Sequence, residues 1–331
     1  MATAFVPWPP PSPALAEDHF TSVGHLLRVP ACVRPVDCVT SKMRPLAACA
    51  LTPIHRPKTG HRPKLGQHFL TSAAFRRRIV EAVPIRRNDL VVEIGAGCGA
   101  MTGSLAERAA RVVAVELDSR LADELRKELA GREGIEVLQA DILGLDLADL
   151  CRSHGVEQTF IFGNLPYYIT SPILHHLLKS ARHIRGMAFV VQREVALRIT
   201  AGAGSRPYGY LSVLAQCYSK ARIAFSIPPG AFSPPPAVHS ALVTFEMTGG
   251  PEEEEGASAV QDDLRRRKFL DFVKAGFAQK RKKLANNLSA VYPADAVRDA
   301  VRSLGLSGNV RAEELTVANL WRVFEALNGS R

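Results

Sequence analysis

Four short apolar runs, each followed at once by a glycine or a polar residue, constrain the fold of this chain more than any other feature. They cover residues 90–94, 111–115, 135–138 and 160–163. Short apolar runs bounded in this way are typical of buried strands. Segments with helical periodicity separate the runs, and strands that alternate with helices predict a doubly wound, mostly parallel α/β sheet of the Rossmann-like type.

The residues that end these runs suggest a ligand site. In chain order they are Gly95 with Gly97, then Glu116, Asp141 and Asn164. The carboxyl ends of parallel strands share one edge of the sheet, which is where ligands bind. Glycines let the backbone approach a ligand closely, and an acid at the tip of the second strand can accept hydrogen bonds from ribose hydroxyls.

The glycine spacing leaves more than one nucleoside cofactor open. The turn reads Gly-x-Gly-x-Gly, and Ala100 stands where a dinucleotide fingerprint has its third glycine, so NAD is not excluded. There is no Gly-x-x-x-x-Gly-Lys-Ser/Thr, which disfavours an ATPase of the P-loop kind. Asp141 and Asn164 favour S-adenosylmethionine, because an acid at the third strand can accept from its adenine amino group. We therefore predict S-adenosylmethionine as the cofactor.

The stretch after the fourth run has the side chains that a nucleobase amine would need. Asn164 and Leu165 offer two carbonyl acceptors, Pro166 stiffens the turn, and Tyr167 adds a ring on which a base could stack. A strand end followed by a proline turn with buried aromatics is the alternative interpretation. The stretch alone does not separate the two.

Composition limits the classes of protein that remain. The 331 residues carry a net charge of +10, which favours a polyanionic partner. No apolar run reaches the roughly 18 residues that span a bilayer, so we expect no integral membrane protein. The six cysteines contain no Cys-x-x-Cys pair, which argues against a zinc site or a disulfide framework and fits a reducing compartment; we expect no metal.

We predict three regions. Residues 1–62 hold ten of the 22 prolines and show no sustained periodicity, which indicates a disordered extension; a targeting peptide or a misassigned start codon would also explain them. Residues 63–247 hold the predicted sheet, and residues 248–331 form a small helical domain. Its segment 264–283 has nine Lys/Arg against one Asp, and either an RNA-binding surface or a solvated helix face would produce this bias.

Several motifs between Lys64 and Leu288 resemble the ribosomal RNA small-subunit adenine-N6,N6-dimethyltransferase family, of the bacterial kasugamycin-sensitivity type. The resemblance covers about two-thirds of the chain. The matching stretches are Leu65-Gly66-Gln67-His68-Phe69-Leu70, Glu93-Ile94-Gly95-Ala96-Gly97, Asn164-Leu165-Pro166-Tyr167, Gln192-Arg193-Glu194-Val195 with Arg198, Tyr208-Gly209-Tyr210-Leu211-Ser212-Val213, and Ala231-Phe232-Ser233-Pro234-Pro235-Pro236. The chain departs from the family where His68 replaces a frequent Asn, and where Ala237 and His239 replace a common Lys and Asp.

The resemblance implies a class I methyltransferase sheet and a role for each matching residue. The target base would lie between Tyr167 and Phe232, next to Asn164, Leu165 and Pro166. The implied cofactor contacts are His68, Leu70, Gly95, Gly97, Glu116, Asp141, Ile142 and Asn164. The candidate RNA contacts are Arg198, Arg265, Arg266, Lys280, Arg281, Lys282 and Lys283.

The implied reaction is S-adenosylmethionine-dependent dimethylation of two adjacent adenosines in the 3′-terminal hairpin of small-subunit ribosomal RNA. The implied partner is the immature small subunit, and we expect a cytoplasmic monomer, or an organellar one if residues 1–62 are a transit peptide. The alternatives are an adenine-N6 methyltransferase for DNA or another RNA, a non-catalytic RNA-binding assembly or transcription factor, and a NAD-dependent oxidoreductase.

Overall fold

The computed structural model describes residues 68–166, 169–248 and 259–329. These residues belong to one compact unit. The predicted extension, residues 1–62, and Tyr167 lie outside the described residues. The predicted boundary at residue 248 adjoins residues 249–258, which are also outside them, so it stays a prediction.

A seven-stranded sheet forms the centre of the fold. Its strands are β2 (Leu90–Ile94), β3 (Arg111–Glu116), β4 (Ile135–Gln139), β5 (Thr159–Asn164), β6 (Ile184–Gln192), β7 (Ser219–Ile227) and β9 (Ser240–Met247). Their order is β4-β3-β2-β5-β6-β9-β7, and β9 runs antiparallel to both of its neighbours. The predicted doubly wound, mostly parallel sheet is therefore confirmed.

Helices cover both faces of the sheet. They are α1 (Ala73–Ala82), α2 (Thr102–Ala106), α3 (Ser119–Glu128), α4 (Leu147–Ser153), α5 (Thr170–Leu178), α6 (Arg193–Ile199), α7 (Tyr210–Gln216), α8 (Ala259–Gly276), α9 (Leu284–Asn287), α10 (Ala294–Ser303) and α11 (Val317–Asn328). Alternate strand residues point to opposite faces. In β5, Ile161 packs with α4, α5 and α7, whereas Phe160 and Phe162 pack with α1 and α2. Burial on both faces explains why these strands read as unbroken apolar runs.

The strand order reverses between β2 and β5. From β2 the chain moves outward through β3 to β4, then returns to place β5 on the other side of β2. The carboxyl ends of these two strands flank the crevice in which open α/β sheets bind ligands. Gly95 follows β2 and Asn164 ends β5, so the topology brings two of the predicted site residues together.

A small second sheet joins distant parts of the chain. Strand β1 (Phe69–Leu70) pairs antiparallel with β8 (Phe232–Ser233), so that Leu70 lies opposite Phe232. The amides of Thr71 and Ser72 also donate to the carbonyl of Ala231, at 2.9 and 3.1 Å. The segment that precedes α1 is thereby fixed against the proline-rich loop.

The C-terminal helices pack through aromatic residues. Phe269 and Phe272 of α8 are buried, and the ring of Phe269 lies 4.8 Å from that of Trp321 and 5.6 Å from that of Phe324. These residues belong to the same hydrophobic cluster as the α4–α5 face of the sheet. Phe269, Phe272 and Val273 therefore form the buried apolar face of α8. Within the described ranges, no helix is long and apolar enough to cross a membrane.

Candidate functional site

The turn after β2 is shaped by glycine. Gly95 and Gly97 have φ values of 69° and 57°, a region that residues with a Cβ rarely adopt. A Cβ on Gly97 would also lie 2.9 Å from Cε1 of Phe69. These glycines therefore keep the backbone, rather than side chains, at the surface of the crevice.

Glu116 is held at the end of β3 by two main-chain amides. Oε2 accepts from the N–H of Gly97 at 2.8 Å, and Oε1 accepts from that of Asp118 at 2.9 Å. A carboxylate has about four acceptor positions, so each oxygen can still accept a hydrogen bond from a ligand hydroxyl. The structure thus fixes Glu116 beside the glycine turn, in an orientation that suits a pair of ribose hydroxyls.

Leu117, the next residue, was missed by the sequence analysis. Its side chain is 63% exposed, although it is large and apolar. Exposed leucines are common, but this one directly follows the fixed carboxylate at the ligand-binding edge of the sheet. An apolar residue after the strand-ending acid was a visible signal that the site has a flat, apolar wall.

Asp141 caps a short 3₁₀ turn (Ile142–Gly144). Its Oδ1 accepts from the amide of Leu143 at 2.9 Å, and the side chain is exposed. Ile142 is buried in the large hydrophobic cluster, so only its main chain faces the site edge. Of the described residues, none donates to Oδ2 of Asp141, which can therefore accept from an amino group.

Asn164 is oriented by the segment before α1. Its Nδ2 donates to the carbonyl of His68 at 2.9 Å, so Oδ1 points the other way. The Nδ1 of His68 lies 2.8 Å from the carbonyl of Pro234, which ties the same segment to the proline-rich loop. Leu165 donates its amide to Val190 at 3.1 Å while its side chain is buried. The side-chain oxygen of Asn164, Oδ1, is therefore a fixed acceptor at the carboxyl end of β5.

Phe232 does not lie at an open surface. Its side chain is 4% exposed and belongs to the cluster that includes Leu70 and Ile79. The ring therefore contributes to the core, and the stacking role that the family resemblance implies for it stays a prediction.

Glu93 lies two residues before the glycine turn, and the sequence alone assigned no role to it. It sits inside the otherwise apolar strand β2 and is 3% exposed, and the hydroxyl of Thr102 donates to its Oε2 at 2.5 Å. Burial raises the pKa of Glu93 to about 8; the hydrogen bond from Thr102 lowers it, and the nearby Glu116 carboxylate raises it further. An acid within a buried strand was the signal available in the sequence.

Several of the predicted RNA-binding cations pair within the protein. Arg265 binds Glu325 of α11 through both Nε and Nη2, and its guanidinium lies 5.7 Å from the centre of the Trp321 ring. Arg266 lies over the ring of Tyr218 at 4.9 Å. Arg198 pairs with Glu194 one helical turn earlier on α6.

The four basic residues at positions 280–283 differ in their contacts. Lys280 donates to the carbonyl of Arg206 and lies 3.7 Å from the carboxylate of Glu313, and Lys283 donates to the side chain of Asn309 at 2.9 Å. Arg281 and Lys282 are exposed, and within the part of the chain that the structure describes they have no partner.

The loop of residues 202–208 is held by the segment that connects α10 and α11. The amide of Gly204 donates to the carbonyl of Glu313 at 2.7 Å, and the Tyr208 hydroxyl donates to the carbonyl of Leu315 at 3.0 Å. Residues 202–207 are thus part of a largely exposed loop that is anchored to the segment between α10 and α11.

These groups together fit a nucleoside that carries a short cationic chain. The glycine turn supplies close backbone, Glu116 and Asp141 supply acceptors, and Leu117 supplies an apolar wall. S-Adenosylmethionine has this chemistry. Among the described residues, no group of three or more His, Cys, Asp or Glu side chains could hold a metal ion.

Comparisons with known proteins agree with this chemistry. The profile described as "Ribosomal RNA adenine dimethylase" matches residues 59–329. A ribosomal RNA small subunit methyltransferase A from Acidobacterium capsulatum is 46% identical over 269 residues, which are 80% of this chain and 92% of that protein. The protein of the same name from Ligilactobacillus salivarius is 38% identical over 270 residues, covering 80% of this chain and 88% of the relative.

Two solved structures share the fold. The 23S rRNA methyltransferase ErmE has a TM-score of 0.59 at 27% identity, over 78% of this chain and 99% of that one. A dimethyladenosine transferase from Plasmodium falciparum has a TM-score of 0.64 at 21% identity, over 77% and 96% of the two chains. The second likeness concerns the fold alone.

Proposed function

Because the chain belongs to the ribosomal RNA adenine dimethylase family and is an S-adenosylmethionine-dependent rRNA adenine dimethylase, we propose that its targets are two adjacent adenosines in the 3′-terminal hairpin of small-subunit rRNA. The substrate particle would be the immature small subunit. The enzyme would act as a monomer in the cytoplasm, or in an organelle if residues 1–62 are a transit peptide. The names of the curated relatives support the small-subunit assignment.

The orientation of Asn164 is the observation that carries the catalytic part of the proposal. Its Nδ2 is occupied by the carbonyl of His68, so Oδ1 is the atom presented at the end of β5. The N6 amine of adenine is a poor nucleophile because its lone pair is delocalised into the ring. Oδ1 and the Leu165 carbonyl would accept its two N–H groups and draw the nitrogen toward tetrahedral geometry, so that alignment and electrostatics lower the barrier.

No strong general base is needed for this reaction. The bound cofactor supplies an electrophilic methyl group on a sulfonium. Nitrogen becomes acidic once it is alkylated, so its proton can pass to water after the new N–C bond has formed. A monomethylated amine still has one N–H, and one of the two acceptors is enough to align it for a second transfer.

The cofactor would lie along the ends of β2, β3 and β4. We assign its amino-acid end to the turn of Gly95 and Gly97, its ribose hydroxyls to Glu116 and its adenine amino group to Oδ2 of Asp141. Both oxygens of Glu116 are already fixed by amides, so they need no reorganisation when the ribose binds. We add Leu117 to this set as an apolar surface for the adenine.

The target base would be held by aromatic side chains. A base that undergoes chemistry has to leave its stack, and it is then held between flat or apolar groups. We expect Tyr167→Phe to act like wild type and Tyr167→Ala to weaken RNA capture about ten- to a hundred-fold, since stacking contributes ~1–3 kcal/mol per base. Titration of RNA binding measures both variants, and equal losses in the two would show that the hydroxyl matters. Phe232→Ala is a poorer test because this side chain is buried.

Arg281 and Lys282 are the cations that we expect to contact the RNA backbone most directly. They are exposed, whereas Arg265, Lys280 and Lys283 have partners inside the protein. Arg198, Arg265, Arg266, Lys280 and Lys283 stay in the proposed surface as groups that would have to share or exchange their present contacts.

Mass spectrometry of the rRNA tests the function. The protein and S-adenosylmethionine with a labelled methyl group are incubated with immature small subunits, and the rRNA is digested and sequenced by fragment mass. We expect two adjacent dimethyladenosines near the 3′ end, and nearly no product with Asn164→Ala. Label in other RNA or in DNA, but not in the subunit, would support a different adenine-N6 methyltransferase. RNA binding without any methyl transfer would support a non-catalytic relative.

A further inference from the structure

Glu93 is a carboxyl group inside the sheet that no step of methyl transfer uses. On β2 its strand partners are Ala114 of β3 and Phe162 of β5, and its side chain points toward α2, where the Thr102 hydroxyl donates to Oε2. With an exposure of 3%, the group has almost no contact with solvent.

Among the described groups that face Glu93, the Thr102 hydroxyl is the single one that stabilises a negative charge. Those that face it are Glu116 from β3, the Cys98 thiol from the glycine turn and Thr102 from α2. The other residues of this face, on α1 and β5, are apolar. Of the described residues, no cation is among these neighbours. An ionised carboxylate without a cation is costly to bury, so the uncharged acid is the favoured form, and the raised pKa agrees with this.

The position of this acid links it to the cofactor site. Glu93 precedes Gly95 by two residues, and Glu116 accepts from the amide of Gly97. Glu93 therefore leads directly into the turn to which the amino-acid end of the cofactor is assigned, and Glu116 is hydrogen-bonded to that turn. That ligand carries an ammonium and a sulfonium against one carboxylate, which is a net charge of about +1 near neutral pH.

We propose that Glu93 is uncharged in the cofactor-free protein and releases its proton to solvent when S-adenosylmethionine binds at the glycine turn. The O–H bond of the carboxyl group breaks, the proton passes to the buffer, and the carboxylate becomes the counter-ion of the bound cation. Glu93 is then a positioning residue that makes cofactor binding depend on pH. The inference rests on the proposed placement of the cofactor along Gly95 and Gly97.

The size of the effect follows from the titration of the free protein. With a pKa of about 8 for Glu93, roughly nine-tenths of the molecules carry the proton at pH 7, so binding would release up to about 0.9 proton. Below that pKa the affinity would rise by up to about tenfold per pH unit. Above about pH 9, binding would release no proton from Glu93 and the affinity would level off.

Calorimetry in two buffers with different ionisation enthalpies measures the released protons directly, and it needs no turnover. The ligand is S-adenosylmethionine and the protein is the full chain at pH 7. Because the α-amino group of the ligand also titrates near pH 8, Glu93→Gln measures that contribution alone. We expect wild type to exceed Glu93→Gln by close to one proton. Cys98→Ala, which removes the other neutral titratable group of this turn, should behave as wild type.

The outcomes separate this inference from the proposed function. Equal proton release in wild type and Glu93→Gln would overturn it, and so would a loss of release in Cys98→Ala. If Glu93→Gln fails to fold, Thr102→Val gives a second measurement. Removing the hydroxyl raises the pKa of Glu93 further, so proton release at pH 8 should increase, and an unchanged value would contradict us. No binding at all would overturn the proposed function as well, whereas binding without release that depends on Glu93 would overturn this inference alone.

Discussion

Asn164→Ala is the change that tests the catalytic site most directly. The substitution removes the acceptor that we propose for the reacting amine, and a donor that holds the carbonyl of His68 at 2.9 Å. These two losses have different sizes. Removing one aligned hydrogen-bonding group from a site where charge develops costs ~2.7–4 kcal/mol in the barrier, or about 10²–10³ in rate. One half-buried hydrogen bond contributes only about 1 kcal/mol to stability, which corresponds to a fall in Tm of about 2–4 °C.

Single-turnover methyl transfer at saturating cofactor and RNA separates chemistry from binding. We expect Asn164→Ala to lose at least two orders of magnitude in rate while Tm falls by only a few degrees. Asn164→Asp keeps an acceptor oxygen but places a second oxygen against the carbonyl of His68, so its rate should lie between the alanine variant and wild type. His68→Ala is the matched control, because it leaves that main-chain carbonyl in place; at saturating cofactor its single-turnover rate should stay close to wild type even if the lost imidazole weakens cofactor binding.

A rate for Asn164→Ala within about threefold of wild type would refute the reasoning. The amide would then be a structural clamp between β5 and the segment before α1, and the aligned acceptor would have to be another group. A large fall in Tm together with the loss of rate would also count against us, since the fold would then explain the loss.

Three further outcomes follow from the structure. Arg185→Met should destabilise the protein by ~3–5 kcal/mol in urea unfolding. Its partner Asp89, directly before β2, is buried and would lose its cation. Arg281→Gln and Lys282→Gln should each reduce the salt slope of RNA binding by about 0.7–0.9, whereas Lys127→Gln on α3 should not change it. The cofactor-free protein should lose stability relative to Glu93→Gln as pH rises, by up to about 1.4 kcal/mol per pH unit between about pH 5 and 8. A difference in free energy of unfolding between the two proteins that does not change with pH would contradict this.

The sign of the last effect follows from the two states of the chain. In the unfolded protein Glu93 has its ordinary pKa of 4.5, and in the folded protein the pKa is about 8. Between these values the folded state binds more protons, so raising the pH favours unfolding. The stability linked to this proton is complete below the unfolded value and is lost as the pH rises to the folded one.

The sheet and its ligand-binding edge could be predicted because both depend on local patterns. An apolar run that ends in a glycine or an acid contains its own boundary, so Gly95, Glu116, Asp141 and Asn164 were all assigned to strand ends. The register of each strand against its neighbours then brings those ends together. Periodicity needs no knowledge of distant contacts.

The pairing of β1 with β8 could not be predicted in the same way. Each strand has two residues, too few to show a period, and Leu70 and Phe232 are 162 positions apart in sequence. This pairing buries the Phe232 ring and brings His68 to Asn164. The orientation of the Asn164 side chain was therefore not visible in the motif that contains it.

For the basic C-terminal residues, charge alone did not reveal which side chains pair within the protein. Arg265 and Lys280 belong to runs whose charge favours RNA, yet one guanidinium joins α8 to α11 and one ammonium joins the 202–208 loop to Glu313. Partly exposed pairs of this kind contribute little to stability, so breaking them to bind a phosphate costs little. An RNA that competes for these cations would loosen contacts of the C-terminal helices, whereas one that uses only Arg281 and Lys282 would leave them intact. Hydrogen exchange of α8 and of residues 202–208, with and without RNA, distinguishes the two.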